Sequence, residues 1–328
     1  MSKKLNIQIT LGLLCLYLVW GSTYLAIRFG VEQIPPFIMA AFRFMIGGAM
    51  FYAWAKFKGA KNPQPQHWIS AVIIGALLAV GGNALVNWSE KTLDSGIAAL
   101  LVAMMPFFLV LFDWIRPRGT RPGWVVMSGL VLGFAGVIML VNPTQVDGVQ
   151  SIDKFGAFLV LMATITWSVG SLYSRSAKQP ENHVLFAGMQ MMAGGFVALL
   201  IAVLMGEFGE FSLTALEPLQ LWSWVYLTLF GGFAFGVYLW LLKVTSPAKV
   251  STYAYVNPVI AIILGALIGN EQFNSWTLVC SSIIVLAVVI IITARSRQGK
   301  VIPQPESASV VKKEPLAPEA ASAACECD

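Results

Sequence analysis

Polar and aromatic side chains interrupt the long apolar stretches of this sequence, and a polar one costs free energy in lipid unless it faces a cavity or a polar partner. Several recur at steps of four residues, which places them on one face of a helix. Two of the tryptophans lie midway along their stretches, where an interfacial aromatic belt does not explain them. Aromatic walls with a few amides suit a partly apolar, zwitterionic or cationic solute. The predicted substrate-binding residues are Trp20, Tyr24, Asn83, Asn87, Trp88, Trp167, Tyr238, Trp240, Tyr253 and Asn257.

Arg43 is a charge deep within an apolar stretch that has no acid nearby in the chain. Ala40 and Gly47 share its helix face, and small residues in a membrane helix mark a side that packs against another helix. Asn83 lies at a similar depth, about 10 Å from the same surface at about 1.5 Å per residue. We therefore expect Arg43 to point into the protein and to bond to the third stretch or to carbonyls freed by a kink. Two interpretations stay open, a structural clamp, which we favour, and a substrate contact.

Pro106 and Pro258 occupy matching central positions of two apolar stretches. Proline removes a backbone hydrogen bond and bends the helix, which exposes a carbonyl that a ligand could meet. A packing kink is the ordinary explanation for one such proline, but the matched pair favours a functional kink. Asn257 precedes the second proline and can both donate and accept.

The sequence offers little chemistry for an enzyme. The two histidines, His67 and His183, lie between apolar stretches, and there is no HExxH motif, phosphate-binding glycine loop or buried carboxylate pair. We expect no catalytic residue, metal site or cofactor. A channel is a weaker alternative, because no ring of charge or carbonyl filter is apparent.

The acidic residues bear on energy coupling, since proton-coupled carriers usually place Asp or Glu within the membrane. Glu90, Asp113 and Glu271 all lie near the ends of apolar stretches. This placement favours a facilitator or exchanger over a proton-coupled efflux antiporter. The antiporter remains an alternative interpretation, in which Glu90 is the residue that binds the proton.

The elements that position these residues follow from composition. Of 328 residues, 57% are hydrophobic and 11% are charged, and the mean hydropathy is +0.74. Lipid offers the backbone no hydrogen-bond partners, so the apolar stretches must be helices. The sequence predicts an all-α integral membrane protein with ten transmembrane helices at roughly 9–30, 36–55, 68–89, 95–115, 122–141, 155–174, 184–205, 219–242, 248–269 and 275–294.

Most of the 21 lysines and arginines fall in the two terminal segments and in alternate loops, which predicts that both termini are cytoplasmic. The positive charge thus indicates membrane topology rather than nucleic-acid binding. We expect a multi-pass protein of the cell (inner) membrane. Residues 1–8 form the cytoplasmic N-terminus, and 295–328 form a Pro-, Ala- and Ser-rich tail that we expect to be disordered.

An internal repeat divides the chain. Trp88 and Trp240 are 152 residues apart, and so are the pairs Lys91 and Lys243, Pro106 and Pro258, and Trp124 and Trp276. The segments 9–142 and 153–294 thus each hold five predicted helices, and an odd number inverts the second copy in the membrane. Inverted repeats place a substrate site near the midplane, in a central cavity between the halves, and allow alternating access.

The segments WGSTY at 20–24, AFRF at 41–44, SGIAALLVAMMP at 95–106 and NPVIA at 257–261 resemble the EamA-type transporters of the drug/metabolite transporter superfamily. The resemblance covers about residues 9–294 and implies transport of a metabolite or drug, commonly export, through a cavity lined mainly by helices 1, 3, 4, 6, 8 and 9. One departure is Arg116-Pro-Arg-Gly119 after the fourth stretch, where the family often has Gly-Glu.

The predicted function is therefore alternating-access transport of a small molecule, with export as the expected direction. Neutral or aromatic amino acids and amphipathic cationic drugs both fit the predicted walls. The expected partners are this solute and the lipid bilayer, with no nucleic acid. The sequence does not determine the oligomeric state, and a homodimer is one of the alternatives.

Overall fold

The computed structural model describes residues 3–116, 121–142 and 152–297. Across these residues the protein is helical and contains no β-strand. The helices are α1 (Lys3–Gly30), α2 (Pro36–Phe57), α3 (Pro65–Gly75), a π-helical segment (Ala76–Ala84), α4 (Leu85–Ser89), α5 (Ser95–Val102), α6 (Met105–Ile115), α7 (Trp124–Val141), α8 (Lys154–Tyr173), α9 (His183–Leu204), α10 (Glu207–Glu210), a 3-10 turn (Leu213–Ala215), α11 (Pro218–Val244), α12 (Pro247–Val250), α13 (Tyr253–Leu267) and α14 (Ser275–Arg297).

Nine helical runs in the described residues are long and apolar enough to cross a membrane. The continuous run Pro65–Ser89 joins α3, the π-helical segment and α4, and Ser95–Ile115 joins α5 and α6. The ninth predicted helix is shorter than expected, because α12 ends at Val250 and α13 begins at Tyr253. Helix α13 remains apolar over its 15 residues.

The chain ends also differ in detail from the sequence prediction. Segment 1–8 is already helical from Lys3, and α14 continues to Arg297, three residues into the predicted tail. The remainder of that tail, residues 298–328, lies outside the described residues.

The third and fourth predicted helices are irregular as well, at points that the sequence did not indicate. The third contains the nine-residue π-helical segment. The fourth breaks at Ala103 and Met104, so that Pro106 lies in the first turn of α6 rather than inside a continuous helix. Proline is tolerated in a first helical turn because the N–H it lacks has no intrahelical partner there. Pro258, in contrast, lies inside α13.

The two halves of the chain pack against each other through helices α2 with α9 and α7 with α14. Small residues allow the close approach of α2 and α9. A β-carbon at Gly48 would lie 2.6 Å from the Met192 nitrogen, and one at Gly188 would lie 2.5 Å from the Tyr52 nitrogen. Helix α1 contacts both α11 and α13, which brings the first and last thirds of the chain together around the centre.

Candidate functional site

A central cavity of about 330 Å³ lies between the helices of the two halves. This volume is at the lower end of the range for small-molecule sites. Seven of the ten predicted substrate-binding residues line it, as do both prolines and Arg43. The seven are Trp20, Tyr24, Asn83, Trp167, Tyr238, Tyr253 and Asn257.

Three aromatic rings from three helices meet at one wall of the cavity. The ring centroid of Trp20 on α1 lies 4.9 Å from that of Tyr253 on α13 and 5.3 Å from that of Tyr238 on α11. The two tyrosine rings are 6.0 Å apart in an edge-on arrangement. Such geometry is favourable for aromatic pairs. This wall offers a solute both ring faces and hydroxyl groups.

Another part of the cavity lining depends on glycine in the π-helical segment. A β-carbon at Gly82 would lie 2.6 Å from the Trp167 ring, so only glycine lets that ring lie against the segment. The Asn83 amide donates to the Leu78 carbonyl over 3.0 Å. π-Helical segments leave backbone groups in unusual positions and frequently occur at functional sites.

Arg43 lies in the cavity wall without the partners that the sequence predicted. Its Nη1 is buried and has no hydrogen-bond partner, and within the described residues the guanidinium makes no hydrogen bond to the third helical run or to a kink carbonyl. The guanidinium carbon lies 5.2 Å from the centroid of the Phe44 ring, and Gly231 of α11 leaves space beside Nη2. The expected bonds are therefore absent, and the arginine is available to a ligand.

The two prolines affect matching points of the cavity. Pro258 lacks the N–H that would bond to the Ala254 carbonyl within α13. Val102, four residues before Pro106, is the last residue of α5, and both Val102 and Ala254 line the cavity. Asn257, beside Pro258, is buried, and its side-chain oxygen has no partner. A buried polar atom without a partner is uncommon in native proteins. This amide is thus a second polar group available to a ligand.

Three predicted binding residues lie outside the cavity. Asn87 is fully buried and donates to the Pro36 carbonyl over 3.2 Å. Asn83 lies within the π-helical segment and Asn87 in the following helix α4, and of the two only Asn83 lines the cavity. The Trp88 ring packs edge-on against Phe37 at 5.9 Å and Phe155 at 5.8 Å.

The third, Trp240, packs close to Gly12 of α1. It is two residues from Tyr238, and residues two apart face nearly opposite sides of a helix. Only Tyr238 therefore reaches the cavity. Conversely, the predicted set omitted Gln190 and Phe235, which do line the cavity. A glutamine within the apolar helix α9 was the available signal for the first, whereas nothing distinguished Phe235 from other apolar residues.

Carboxylates hold two helix N-termini at one end of the bundle, here called the glutamate end and defined by Glu90, Glu207 and Glu271. Glu271 accepts hydrogen bonds from the Ser95 nitrogen at 2.7 Å and the Gly96 nitrogen at 3.2 Å, at the start of α5. Glu207 accepts from the nitrogens of Phe37 at 3.2 Å and Ile38 at 2.9 Å, at the start of α2. Burial raises the pKa of the Glu207 carboxyl, and the two backbone donors oppose that rise.

The opposite end, here called the arginine end, joins one aspartate to three arginines. Asp113 of α6 lies 2.9 Å from Arg116, 3.4 Å from Arg175 and 3.7 Å from Arg295. These residues belong to both halves of the chain. In the described parts of the chain no group of His, Cys, Asp and Glu has a metal-binding arrangement.

An all-helical protein with membrane-spanning runs and a central aromatic cavity belongs to the class of polytopic membrane proteins that handle small solutes. The chain is a member of the EamA-like transporter family, whose model matches residues 8–142 and 154–293. It is 37% identical to the inner membrane transporter YedA of Escherichia coli (strain K12) over 284 residues, which are 85% of this chain and 89% of that protein.

Other relatives are more distant. The transporter YoaV of Bacillus subtilis (strain 168) is 25% identical over 82% of this chain and 91% of its own length. A WAT1-related chloroplastic protein of Arabidopsis thaliana is 25% identical over 84% of this chain and 67% of its own. One solved crystal structure shares the fold with a TM-score of 0.57 and 23% identity, covering 88% of this chain and 98% of that one. Of these relatives, YedA and YoaV are named as transporters.

Proposed function

We propose that this EamA-family transporter exports small amphipathic solutes that carry a carboxylate, with neutral or aromatic amino acids as the substrate class. The observation that carries the proposal is the buried Nη1 of Arg43, which has no hydrogen-bond partner and belongs to a residue of the aromatic cavity lining. A guanidinium binds a carboxylate through paired, charge-assisted hydrogen bonds. The aromatic walls then hold the apolar side chain of the solute.

The lining residues favour this solute over the amphipathic cationic drugs that the sequence left open. The described cavity lining contains Arg43 and no Asp or Glu. A cation would gain contact with aromatic faces, but it would also be repelled by the arginine at close range. An amino acid offers its carboxylate to Arg43, its ring to the tryptophans and tyrosines, and its ammonium to the amides.

We infer that the chain forms ten membrane-spanning helices in two inverted five-helix repeats, 9–142 and 153–294. The proposed mechanism is alternating access, in which the central site opens in turn to each side of the membrane. The offset of 152 residues between Pro106 and Pro258 supports the repeat, and so does the placement of the residues four positions before each proline in one cavity. Pairing of α2 with α9 and of α7 with α14 joins equivalent helices of the two halves. Such halves can rock about a fixed central site.

The proposed orientation places the arginine end and both termini in the cytoplasm. Positively charged residues concentrate on the cytoplasmic side of membrane proteins, and Arg116, Arg175 and Arg295 all lie at this end. The glutamate end then faces outward, where buried carboxylates join helices from both halves. Export moves the solute from the arginine end to the glutamate end.

Transport into proteoliposomes with three matched probes tests the substrate class. L-Phenylalanine has both charges, 3-phenylpropionate has only the carboxylate, and phenethylamine has only the ammonium group. We expect the wild-type protein to transport phenylalanine and to bind 3-phenylpropionate, but not phenethylamine. Arg43→Lys keeps the charge and loses the planar fork, so it should reduce transport by about tenfold or more, and Arg43→Gln should abolish it.

The folded yield of the variants separates the two roles of Arg43. Normal yield with lost transport supports substrate contact, whereas a parallel loss of yield and transport supports the structural clamp. Binding of phenethylamine in preference to the other two probes would instead indicate a cationic substrate. Ion current that does not depend on solute would replace the carrier by a channel.

A further inference from the structure

Glu90 is a buried carboxyl group that the binding site does not use. It directly follows α4, is fully buried, and neither of its side-chain oxygens has a hydrogen-bond partner among the described residues. Val86, one helical turn earlier, lines the cavity. A buried carboxylate without hydrogen bonds or a close ion pair is costly, whereas the protonated acid is far less so.

Charged groups on several elements act on Glu90, yet none forms an ion pair or a hydrogen bond with its carboxyl group. Arg28 of α1 donates to the Glu90 backbone carbonyl at 2.9 Å and not to the carboxyl group. Glu271 is occupied by the start of α5. Arg43 interacts with Glu90 electrostatically, and no hydrogen bond joins the two side chains. The titratable or charged groups that act on Glu90 are Tyr24 and Arg28 on α1, Arg43 on α2 and Glu271 after α13. Asp94 lies four residues further along the chain, in the following loop, and interacts with Arg28 and Glu271.

We propose that Glu90 is a proton-binding site coupled to the solute, so that a carboxylate bound at Arg43 is accompanied by one proton on the Glu90 side chain. The proposal rests on the proposed function. When the solute enters, a proton moves from water to a Glu90 carboxyl oxygen, and when the solute leaves, the proton returns to water. No other bond forms or breaks.

The coupling follows from the shared interaction with Arg43. An ionised Glu90 would place a negative charge near Arg43 and would repel the incoming carboxylate, while a protonated Glu90 leaves the arginine's positive charge uncompensated. By linkage, if protonation of Glu90 strengthens solute binding, then solute binding strengthens proton binding by the same factor. Solute affinity therefore falls as the pH rises through the range in which Glu90 loses its proton.

This coupling differs in sense from that of a proton-coupled efflux antiporter, in which a cationic solute and a proton compete for one carboxylate. Here the solute and the proton travel together. Export proceeds when the outward gradient of the solute exceeds the opposing gradient of protons. The sign of the pH effect on binding thus separates the two mechanisms.

Binding of 3-phenylpropionate to protein in nanodiscs tests the proposal, with the fluorescence of cavity residues Trp20 and Trp167 as the signal. For the wild type we expect the dissociation constant to rise by up to about tenfold per pH unit from mildly acidic to mildly alkaline pH. Glu90→Gln, which imitates the protonated acid, should bind tightly at every pH. Asp94→Asn, which alters a neighbouring carboxyl outside the cavity lining, should keep the pH dependence of the wild type.

Two direct measurements of the proton complete the test. In weakly buffered solution with an indicator dye, solute binding should take up as much as one proton per wild-type protein and none per Glu90→Gln protein. Infrared difference spectra near neutral pH should show a protonated carboxyl band that Glu90→Gln removes. If Glu90→Gln fails to fold, Glu90→Asp should shift the midpoint of the pH profile.

The outcomes separate this inference from the proposed function. Carboxylate binding that requires Arg43 but shows no pH dependence, or the same dependence in Glu90→Gln, would overturn the inference and leave the function standing. Binding of phenethylamine alone would overturn the proposed function. If none of the probes binds, the absence of a Glu90 carboxyl band at every pH, acidic pH included, would by itself exclude Glu90 as a proton carrier. A band that titrates with pH and that Glu90→Gln removes would support that role.

Discussion

The glutamate end and the arginine end both use buried acids to join the two halves of the chain, but the acids bind different partners. At the glutamate end, Glu207 and Glu271 accept from backbone nitrogens at the N-termini of α2 and α5. At the arginine end, Asp113 binds the side chains of three arginines. A carboxylate at a helix N-terminus is stabilised by unpaired N–H groups and the helix dipole.

This difference shows that a buried carboxylate can stabilise helix packing in two ways. A backbone cap holds a helix end at a defined place, because the donors belong to the main chain. An arginine cluster holds long, flexible side chains that can exchange partners without a shift of the helices. We therefore expect the free energy of unfolding to depend on the negative charge of Asp113 and on the hydrogen-bond acceptor oxygens of Glu271.

The largest effect is expected for Asp113→Ala. This change leaves three arginines without their shared carboxylate, and the side chains of Arg175 and Arg295 are only 13% and 10% exposed. Removing one partner of a buried ion pair costs about 3–5 kcal/mol of the free energy of unfolding. Denaturant unfolding in detergent micelles measures the loss. Asp113→Asn is the matched control for shape, and equal stability of all three proteins would show that the charge does not hold this end together.

A smaller loss is expected for Glu271→Ala, which leaves the Ser95 and Gly96 nitrogens without an acceptor. Unsatisfied buried donors cost about 1–3 kcal/mol. Glu271→Gln retains one acceptor oxygen and should recover part of the loss. Hydrogen exchange at the start of α5 locates the effect, and unchanged protection there in the alanine variant would contradict the capping role.

Arg116→Gln should cost less than about 1 kcal/mol, although the Arg116 to Asp113 distance of 2.9 Å is the shortest in the cluster. The Arg116 side chain is 45% exposed, so solvent screens the pair. The same unfolding assay checks this. A loss as large as that of Asp113→Ala would mean that Arg116 alone carries the cluster.

The smallest effect is expected for Glu207→Gln, about 0–1 kcal/mol, because the variant keeps an acceptor and removes a buried charge. Burial raises the pKa of Glu207 in the folded protein above its ordinary value. The folded protein therefore holds the proton over a pH range in which the unfolded chain has lost it, and this contribution to stability declines as the pH rises through that range. The unfolding free energy of the wild type minus that of the variant should therefore fall as the pH rises. A difference that does not change with pH would contradict this prediction.

Much of the fold could be predicted from local properties, and much of the site could not. Trp20 and Trp167 were predicted because a tryptophan midway along an apolar helix has few explanations other than a cavity. Asn87 and Trp240 lie outside the cavity lining, because which face of a helix meets the centre depends on how the helices pack. Arg43 was expected to have partners, and the structure leaves its Nη1 without any.

The sequence by itself determined that this chain crosses the membrane as helices, because lipid offers the backbone no partner and a long apolar run has no other stable form. It also determined the division into two related halves, through one constant offset between matching residues. Only the tertiary structure decided which polar groups meet and which stay free. The partner of Glu271 and the isolation of Arg43 and Glu90 depend on helices distant in the chain, whose packing no local pattern encodes.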